Sequence, residues 1–191
     1  MKNKSVLISV YDKQKLDEIA PTLVELGYDI IATSGTSQAL KKLNIMTISP
    51  AEITQNPNAL HDCIQTIGFS ISGGILFDRQ NKQHLTQIKK LEIRPIDIVI
   101  CNFPPLKEAV QKPKDFNIHH VDVGGPLMLR SAATNYHWVL PVMDPQDYQE
   151  TAQRLKNNTV DIDFRKNYAI KAYNYCSQYD AQIVKLLQTY T

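Results

Sequence analysis

At 191 residues the chain can bury a substantial core within one large domain but leaves little room for a second catalytic one. Its 21 basic and 19 acidic residues nearly balance, with no long run of one sign, so composition gives no electrostatic case for nucleic acid or a membrane surface as partner. After Met1-Lys2-Asn3-Lys4 the apolar run lasts only about seven residues, too short for a signal peptide or a membrane span, and a cytoplasmic protein is expected.

Ser5 to Tyr11 is a β-branched, apolar run of the kind that forms a strand covered on both faces in a parallel sheet. Asp12-Lys13 opens a helix in which Leu16, Ile19, Ala20, Leu23 and Leu26 recur at helical spacing, Pro21 marks a kink or loosened turn, and Gly27 is the C-terminal stop. Tyr28 to Thr33 is the second strand, completing a βαβ unit. It runs into Thr33-Ser34-Gly35-Thr36-Ser37, a loop of small residues before a short helix over Gln38 to Leu43. Such a loop leaves N–H groups open at a positive helix end, where an anion, phosphate above all, is well placed; the same residues also serve as ordinary helix caps.

Asn44 closes that helix, and Met46-Thr47-Ile48 reads as a third short strand. Ser49-Pro50-Ala51-Glu52 starts an N-capped segment, Gln55 to Asn58 is loop, and Ala59 to Ser72 is a connecting helix and loop. Gly73-Gly74-Ile75-Leu76-Phe77 predicts a strand or close-packed bend. Lys82 to Leu91 is a polar helix with His84, Leu85, Ile88 and Leu91 inward. Ile96 to Cys101 is a buried strand that sets Asn102 at its carboxyl end, a functional address in an open α/β sheet.

A helical turn from Leu106 to Val110 and an extended piece from Ile118 to Val121 lead to a second small-residue loop, Asp122-Val123-Gly124-Gly125-Pro126. Pro126 stands in the favoured first turn of the helix that carries Leu127, Met128, Ala132 and Ala133. Trp138 to Met143 is the last strand, Asp144 to Asp147 begins a helix, and a long terminal helix carries Ala169, Ala172, Tyr173, Cys176, Ile183 and Leu187 at helical spacing. Alternating strands and helices indicate an α/β fold with a mainly parallel sheet, whose two small-residue loops share one edge and favour a phosphorylated small molecule.

Cys63, Cys101 and Cys176 lack CxxC spacing, which argues against disulfides and structural zinc, and the adjacent His119 and His120 point to opposite faces of any strand. Cys63 has no adjacent base and reads as an inert thiol.

Leu7 to Lys13, Ala32 to Thr36, Ser72 to Leu76, Ile96 to Asn102 and Val121 to Arg130 resemble, in order, the inosine monophosphate cyclohydrolase domain of the bifunctional purine-biosynthesis family. The segment from Arg165 through Ala172-Tyr173 to Tyr179-Asp180 is similar to the one that closes that domain. The resemblance implies a methylglyoxal-synthase-like, three-layer fold, a homodimer, and a purine or imidazole ribotide as ligand. In that family the carboxamide nitrogen of a formamido-imidazole-carboxamide ribotide attacks the formyl carbon and water leaves, without metal or organic cofactor. It further implies catalytic roles for Asp122 and Asn102, and substrate or phosphate contacts for Lys13, Thr33, Gly35, Thr36, Thr66, Gly124 and Gly125. A formyltransferase domain usually follows; here the expectation is one domain over 1–191, a terminal helix over about 163–190, and a separate formyltransferase as candidate partner. On the residues alone, Asp122 also reads as a helix N-cap, Asn102 as a turn side chain, Lys13 as a solvated lysine and Arg130 as structural.

Against the family's Gly-Arg-Val-Lys-Thr-Leu-His-Pro, this chain has Asp62-Cys63-Ile64-Gln65-Thr66-Ile67-Gly68-Phe69, which replaces an arginine, a lysine and a histidine. A second histidine is Ser72, a tyrosine is Pro104 and a lysine is Thr134. Each lost charge-assisted contact is worth about 1.5 to 3 kcal/mol. Two other readings therefore stay open, a nucleotide-binding or regulatory homologue without chemistry and an enzyme closing a related ring.

Overall fold

The computed structural model describes residues 4–56, 64–106 and 121–189. The expectations for Cys63, His119 and His120, and for the parts of the predicted loop, helix and extended pieces that fall within 57–63 and 107–120, lie outside these residues.

Four strands form one sheet, β1 (Ser5–Val10), β2 (Asp29–Ala32), β3 (Ile98–Asn102) and β4 (Leu140–Val142), in the order β2-β1-β3-β4 with every pairing parallel. Successive residues of a strand face opposite ways, so a strand with every position apolar needs a core on each side. Leu7, Ile31, Val99 and Cys101 enter one core, while Val6, Ile8, Val10, Ile30, Ile98, Ile100, Leu140 and Val142 enter the other.

Helices supply the covering layers. α4 (Phe69–Leu76), α6 (Gly124–Thr134) and most of α8 (Ile162–Thr189) close the first core through Ile71, Ile75, Met128, Leu129, Ala172 and Cys176. α1 (Leu16–Glu25), α2 (Ser34–Lys41) and α7 (Tyr148–Lys156) close the second through Ile19, Leu23, Leu40 and Tyr148. α8 belongs to both: Phe164 and Tyr168 sit in the second core, Ala169 to Leu186 in the first. Its 28 residues span about 42 Å and pack against β4.

α1 begins at Leu16 rather than at Asp12 and runs through Pro21 as one helix, because Lys15 takes a left-handed conformation (φ 58°) just before it. Gly27 follows its end at φ +75°, a conformation that suits glycine. Met46 to Ile48 is no full strand, only a parallel bridge from Ile48 to Ile31. α3 (Pro50–Thr54) carries the capping box of Ser49 and Glu52. α5 (Lys82–Lys90) has no buried residue, and Leu85 and Leu91, expected inward, are exposed.

The expected strand or bend at Gly73 to Phe77 is instead the second half of α4, through Leu76, with Phe77 as its C-cap. A short apolar run does not by itself distinguish helix from strand. The expectation of a close approach there was sound, since a Cβ on Gly74 would lie 2.3 Å from the Arg94 carbonyl oxygen and Ile96 N–H donates to the Gly74 carbonyl at 3.0 Å.

The strands' amino ends hold paired charges. Asp97 accepts from Ser5 N–H at 2.7 Å and pairs with Arg79 at 2.5 Å, and Asp29 pairs with Arg94. Gly74→Ala is expected to destabilise the protein by about 1–3 kcal/mol, because a backbone carbonyl cannot yield as a side-chain tip would. Urea denaturation measures it, and unchanged stability would contradict the close packing of α4 on Arg94.

Candidate functional site

The strands' carboxyl ends carry two neighbouring hollows. The smaller, about 230 Å³, is lined by Ser9 from β1, Thr33, Ser34 and Gly35 at the start of α2, Gln65 and Thr66 before α4, and Asp122, Gly124 and Gly125 at the start of α6. The larger, about 1320 Å³, is lined among others by Tyr11, Asp12, Lys13, Asn102, Phe103 and Tyr175. Of the residues expected at a ligand site, Thr33, Gly35, Thr66, Asp122, Gly124 and Gly125 therefore meet in one cleft, whereas Lys13 and Asn102 line the neighbouring groove.

The expected loop at Thr33 to Ser37 is largely the first turn of α2, which starts at Ser34. Thr33 is its N-cap, yet among the described residues no side-chain cap bond is made, and the first-turn residues Ser34 and Gly35 are exposed at the open end. The Thr33 hydroxyl donates to Ser9 Oγ at 3.3 Å and to Thr36 Oγ1 at 3.4 Å. Thr36 is buried and lines neither hollow; its hydroxyl accepts from Val10 N–H at 3.1 Å and donates to the Val10 carbonyl at 3.4 Å. It fastens α2 to β1.

Lys13 stands beside the cleft. Its ammonium donates to the carbonyls of Tyr11 (3.0 Å) and Val10 (3.3 Å), and a Cβ on Gly35 would lie 3.9 Å from its Nζ. Asn102 is buried and clamps the neighbouring backbone, accepting from Asp12 N–H at 2.8 Å and donating to the Asp12 carbonyl at 3.2 Å.

Asp122 Oδ1 accepts from Gly125 N–H at 2.9 Å, but the N-cap of α6 is Val123, so Asp122 holds a first-turn N–H from one residue outside the cap position that the sequence suggested. Burial raises its carboxyl above the ordinary aspartate range, and the N–H groups of Gly125 and Gly124 oppose that rise. A Cβ on Gly125 would lie 2.6 Å from Asp122 Oδ2 and 2.8 Å from the Phe103 ring, so only glycine lets the two loops close on each other.

The cleft is rich in neutral hydrogen-bonding groups, and none of its described lining residues is lysine or arginine. Gln65 is buried and donates from Nε2 to Ser34 Oγ at 3.2 Å. Thr134 lies at the far end of α6, exposed, bonded to the Arg130 carbonyl and to the Tyr173 hydroxyl. Ten residues of helix separate it from Gly124, about 15 Å. Arg130 pairs with Asp180 on α8, consistent with a structural role.

Among the described residues no group of three or more His, Cys, Asp or Glu side chains is placed to hold a metal ion. Burial raises the Cys101 thiol well above its ordinary value and Cys176 to about 11, so neither is a nucleophile at neutral pH. No described helix is long and apolar enough to cross a membrane. Sequence reasoning missed Ser9 as a lining residue, and missed Tyr175 and Tyr179, whose hydroxyls accept from Phe103 N–H (3.1 Å) and Asp122 N–H (3.0 Å). Their four-residue spacing on the terminal helix was the available signal.

Residues 15–126 match the family model of the MGS-like domain, and residues 132–191 match that of the AICARFT/IMPCHase bienzyme. The chain is 37% identical over 188 residues to the bifunctional purine biosynthesis protein PurH of Staphylococcus carnosus, covering 97% of this chain and 38% of that protein. With the PurH of Caldicellulosiruptor bescii the identity is 40% over 185 residues, covering 95% and 36%. The chain thus spans under two fifths of these relatives. The crystal structure of ForH superposes with a TM-score of 0.84 at 29% identity, covering 98% of this chain and 100% of that one. The three-layer, parallel α/β architecture expected from the sequence is therefore the one found, and the chain belongs to the MGS-like domain family, as a relative of the cyclohydrolase part of PurH.

Proposed function

We propose that the chain is a cyclohydrolase-like protein of purine nucleotide biosynthesis that closes formamido-imidazole-carboxamide ribotide to inosine monophosphate. The observation that carries this reading is the meeting of Thr33, Gly35, Thr66, Asp122, Gly124 and Gly125 in one cleft of a chain related to PurH. In the reaction a bond forms from the carboxamide nitrogen to the formyl carbon. The formyl oxygen leaves as water, with one hydrogen from that nitrogen and one from the formamido nitrogen. Neither metal nor organic cofactor is used.

The start of α2, with Thr33 and Gly35, takes the phosphate, helped by the positive helix end and by Lys13 at the rim. Thr66 contacts the ribotide from the opposite wall. Asp122, fixed by the glycine N–H groups, takes the proton from the attacking nitrogen, and its raised pKa suits that task better than an ordinary carboxylate would. Asn102 acts by holding the Asp12-Lys13 segment. The same reading makes the chain a cytoplasmic homodimer, supported by exposed Leu127 on α6 and Val184 and Leu187 on α8, two helices packed together. A separate formyltransferase supplying the formylated substrate fits the bifunctional relatives.

A second reading, ligand binding without chemistry, is favoured by a cleft whose described lining residues include no lysine or arginine and by Gln65 where the resembled family has lysine.

Absorbance assay of the ribotide, beside calorimetric titration with inosine monophosphate, separates these readings. Turnover that Asp122→Asn lowers by about 10²-fold or more supports catalysis, tight binding without turnover supports ligand binding without chemistry, and the absence of both turnover and binding refutes both readings. Since Asp122 must be ionised to act, turnover is expected to fall as pH drops through a limb lying above the ordinary aspartate value of about 3.9. A rate independent of pH through the carboxylate range would remove Asp122 from the base role. Gln65→Lys restores a cation in the cleft and should tighten inosine monophosphate binding by about tenfold, the worth of one charge-assisted bond. Unchanged affinity would mean the phosphate sits elsewhere.

A further inference from the structure

Both loops at the site begin with a backbone N–H that no strand or helix ladder uses, and both are held from the same helix. Phe103 N–H, just after β3, donates to the Tyr175 hydroxyl at 3.1 Å. Asp122 N–H, just before α6, donates to the Tyr179 hydroxyl at 3.0 Å. Tyr175 and Tyr179 are four residues apart and share one face of α8, and the Phe103 ring lies between them with centroid distances of 4.8 and 4.9 Å. That ring is also the surface against which Gly125 closes. The helix itself is anchored, since Ala172 and Cys176 are buried in the core and Arg130 pairs with Asp180.

We infer that Tyr175 and Tyr179 are positioning residues, an aromatic clamp on α8 whose phenol oxygens fix the backbone just after Asn102 at the end of β3 and the backbone of Asp122 itself. The chain of contacts is continuous: Tyr179 holds the Asp122 backbone, the Asp122 carboxylate holds Gly125 N–H, and the absence of a Cβ on Gly125 lets Phe103 close the gap. A carboxylate anchored at its own backbone and at its oxygen has little freedom to swing. A general base gains its efficiency from that restraint. Neither phenol is expected to exchange protons in the reaction, as burial raises both above the ordinary tyrosine value. The inference rests on the reading of Asp122 as the reacting group.

Tyr179→Phe and Tyr175→Phe in the full chain remove one acceptor each and keep the ring packing, so both variants should fold. The test combines urea denaturation, hydrogen exchange at the Asp122 amide, and kcat and KM for the formamido ribotide. In Tyr179→Phe, exchange should quicken and kcat fall, each by about tenfold, with KM within about twofold of wild type and a folded fraction near unity. Tyr175→Phe should lower kcat in the same direction while leaving Asp122 exchange less affected. Unchanged exchange, unchanged kcat, or a fall in kcat that vanishes on correction for folded protein overturns the clamp. If the wild type does not turn the ribotide over, the ring-closure reading fails separately. Faster Asp122 exchange with weaker inosine monophosphate binding in Tyr179→Phe then supports the clamp, and anything less overturns it.

Discussion

β1 is buried on both faces at every position but Ser9, and most of the molecule follows from that. Leu7 enters one core while Val6, Ile8 and Val10 enter the other, so a helical layer on each side is obligatory. Parallel pairing then gathers every strand's carboxyl end on a single edge, the one part of the sheet where backbone and side chains can meet a ligand. α8 completes the arrangement by entering both cores, so the helix that seals the fold also reaches the loops at that edge.

The two edges of the sheet differ electrically. At the amino edge, Asp97 with Arg79 and Asp29 with Arg94 use their charges on each other, which tolerates partial burial because each charge has a partner. At the carboxyl edge, the described lining of the cleft is hydroxyls, an amide and glycine N–H groups, with one acid and no lysine or arginine among the described residues. Among the described residues, anion affinity there comes from the start of α2, equivalent to about half a positive charge, and from Lys13. The Lys13 ammonium already donates to two carbonyls, which fixes its position beside Gly35 and shares its charge with the backbone.

Much of this was legible in the sequence, because apolar periodicity carries the strands and small-residue loops carry the edge. β1, β3 and the long terminal helix fell close to where patterning put them, and the loops at Thr33 and Asp122 do meet. Gly73 to Phe77 was misread because a glycine pair needed for helix packing on Arg94 looks the same in sequence as one needed for a bend. Thr36 matches a phosphate-holding position, yet its hydroxyl is spent on Val10, a choice decided by a contact 26 residues away. The partition of Lys13 and Asn102 into the neighbouring groove is likewise tertiary: it follows from the Asn102 amide bonding the Asp12 backbone 90 residues away, which no local pattern encodes.

The replaced residues do not weigh equally. Gln65 is buried in the cleft wall, so a lysine lost there removes a cation from the cleft itself. Thr134 is different: a helix of fixed rise sets it about 15 Å from Gly124, and its hydroxyl is occupied by the Arg130 carbonyl and by Tyr173. A lysine side chain reaches only about 6 Å from its own Cα, a bound set by bond lengths near 1.5 Å. A lysine at 134 would therefore not have reached the Asp122 cleft of its own chain, and its absence subtracts nothing from that cleft. The electrostatic change in this cleft is concentrated at Gln65, while Asp122, Gly124 and Gly125 keep the geometry on which Asp122 depends.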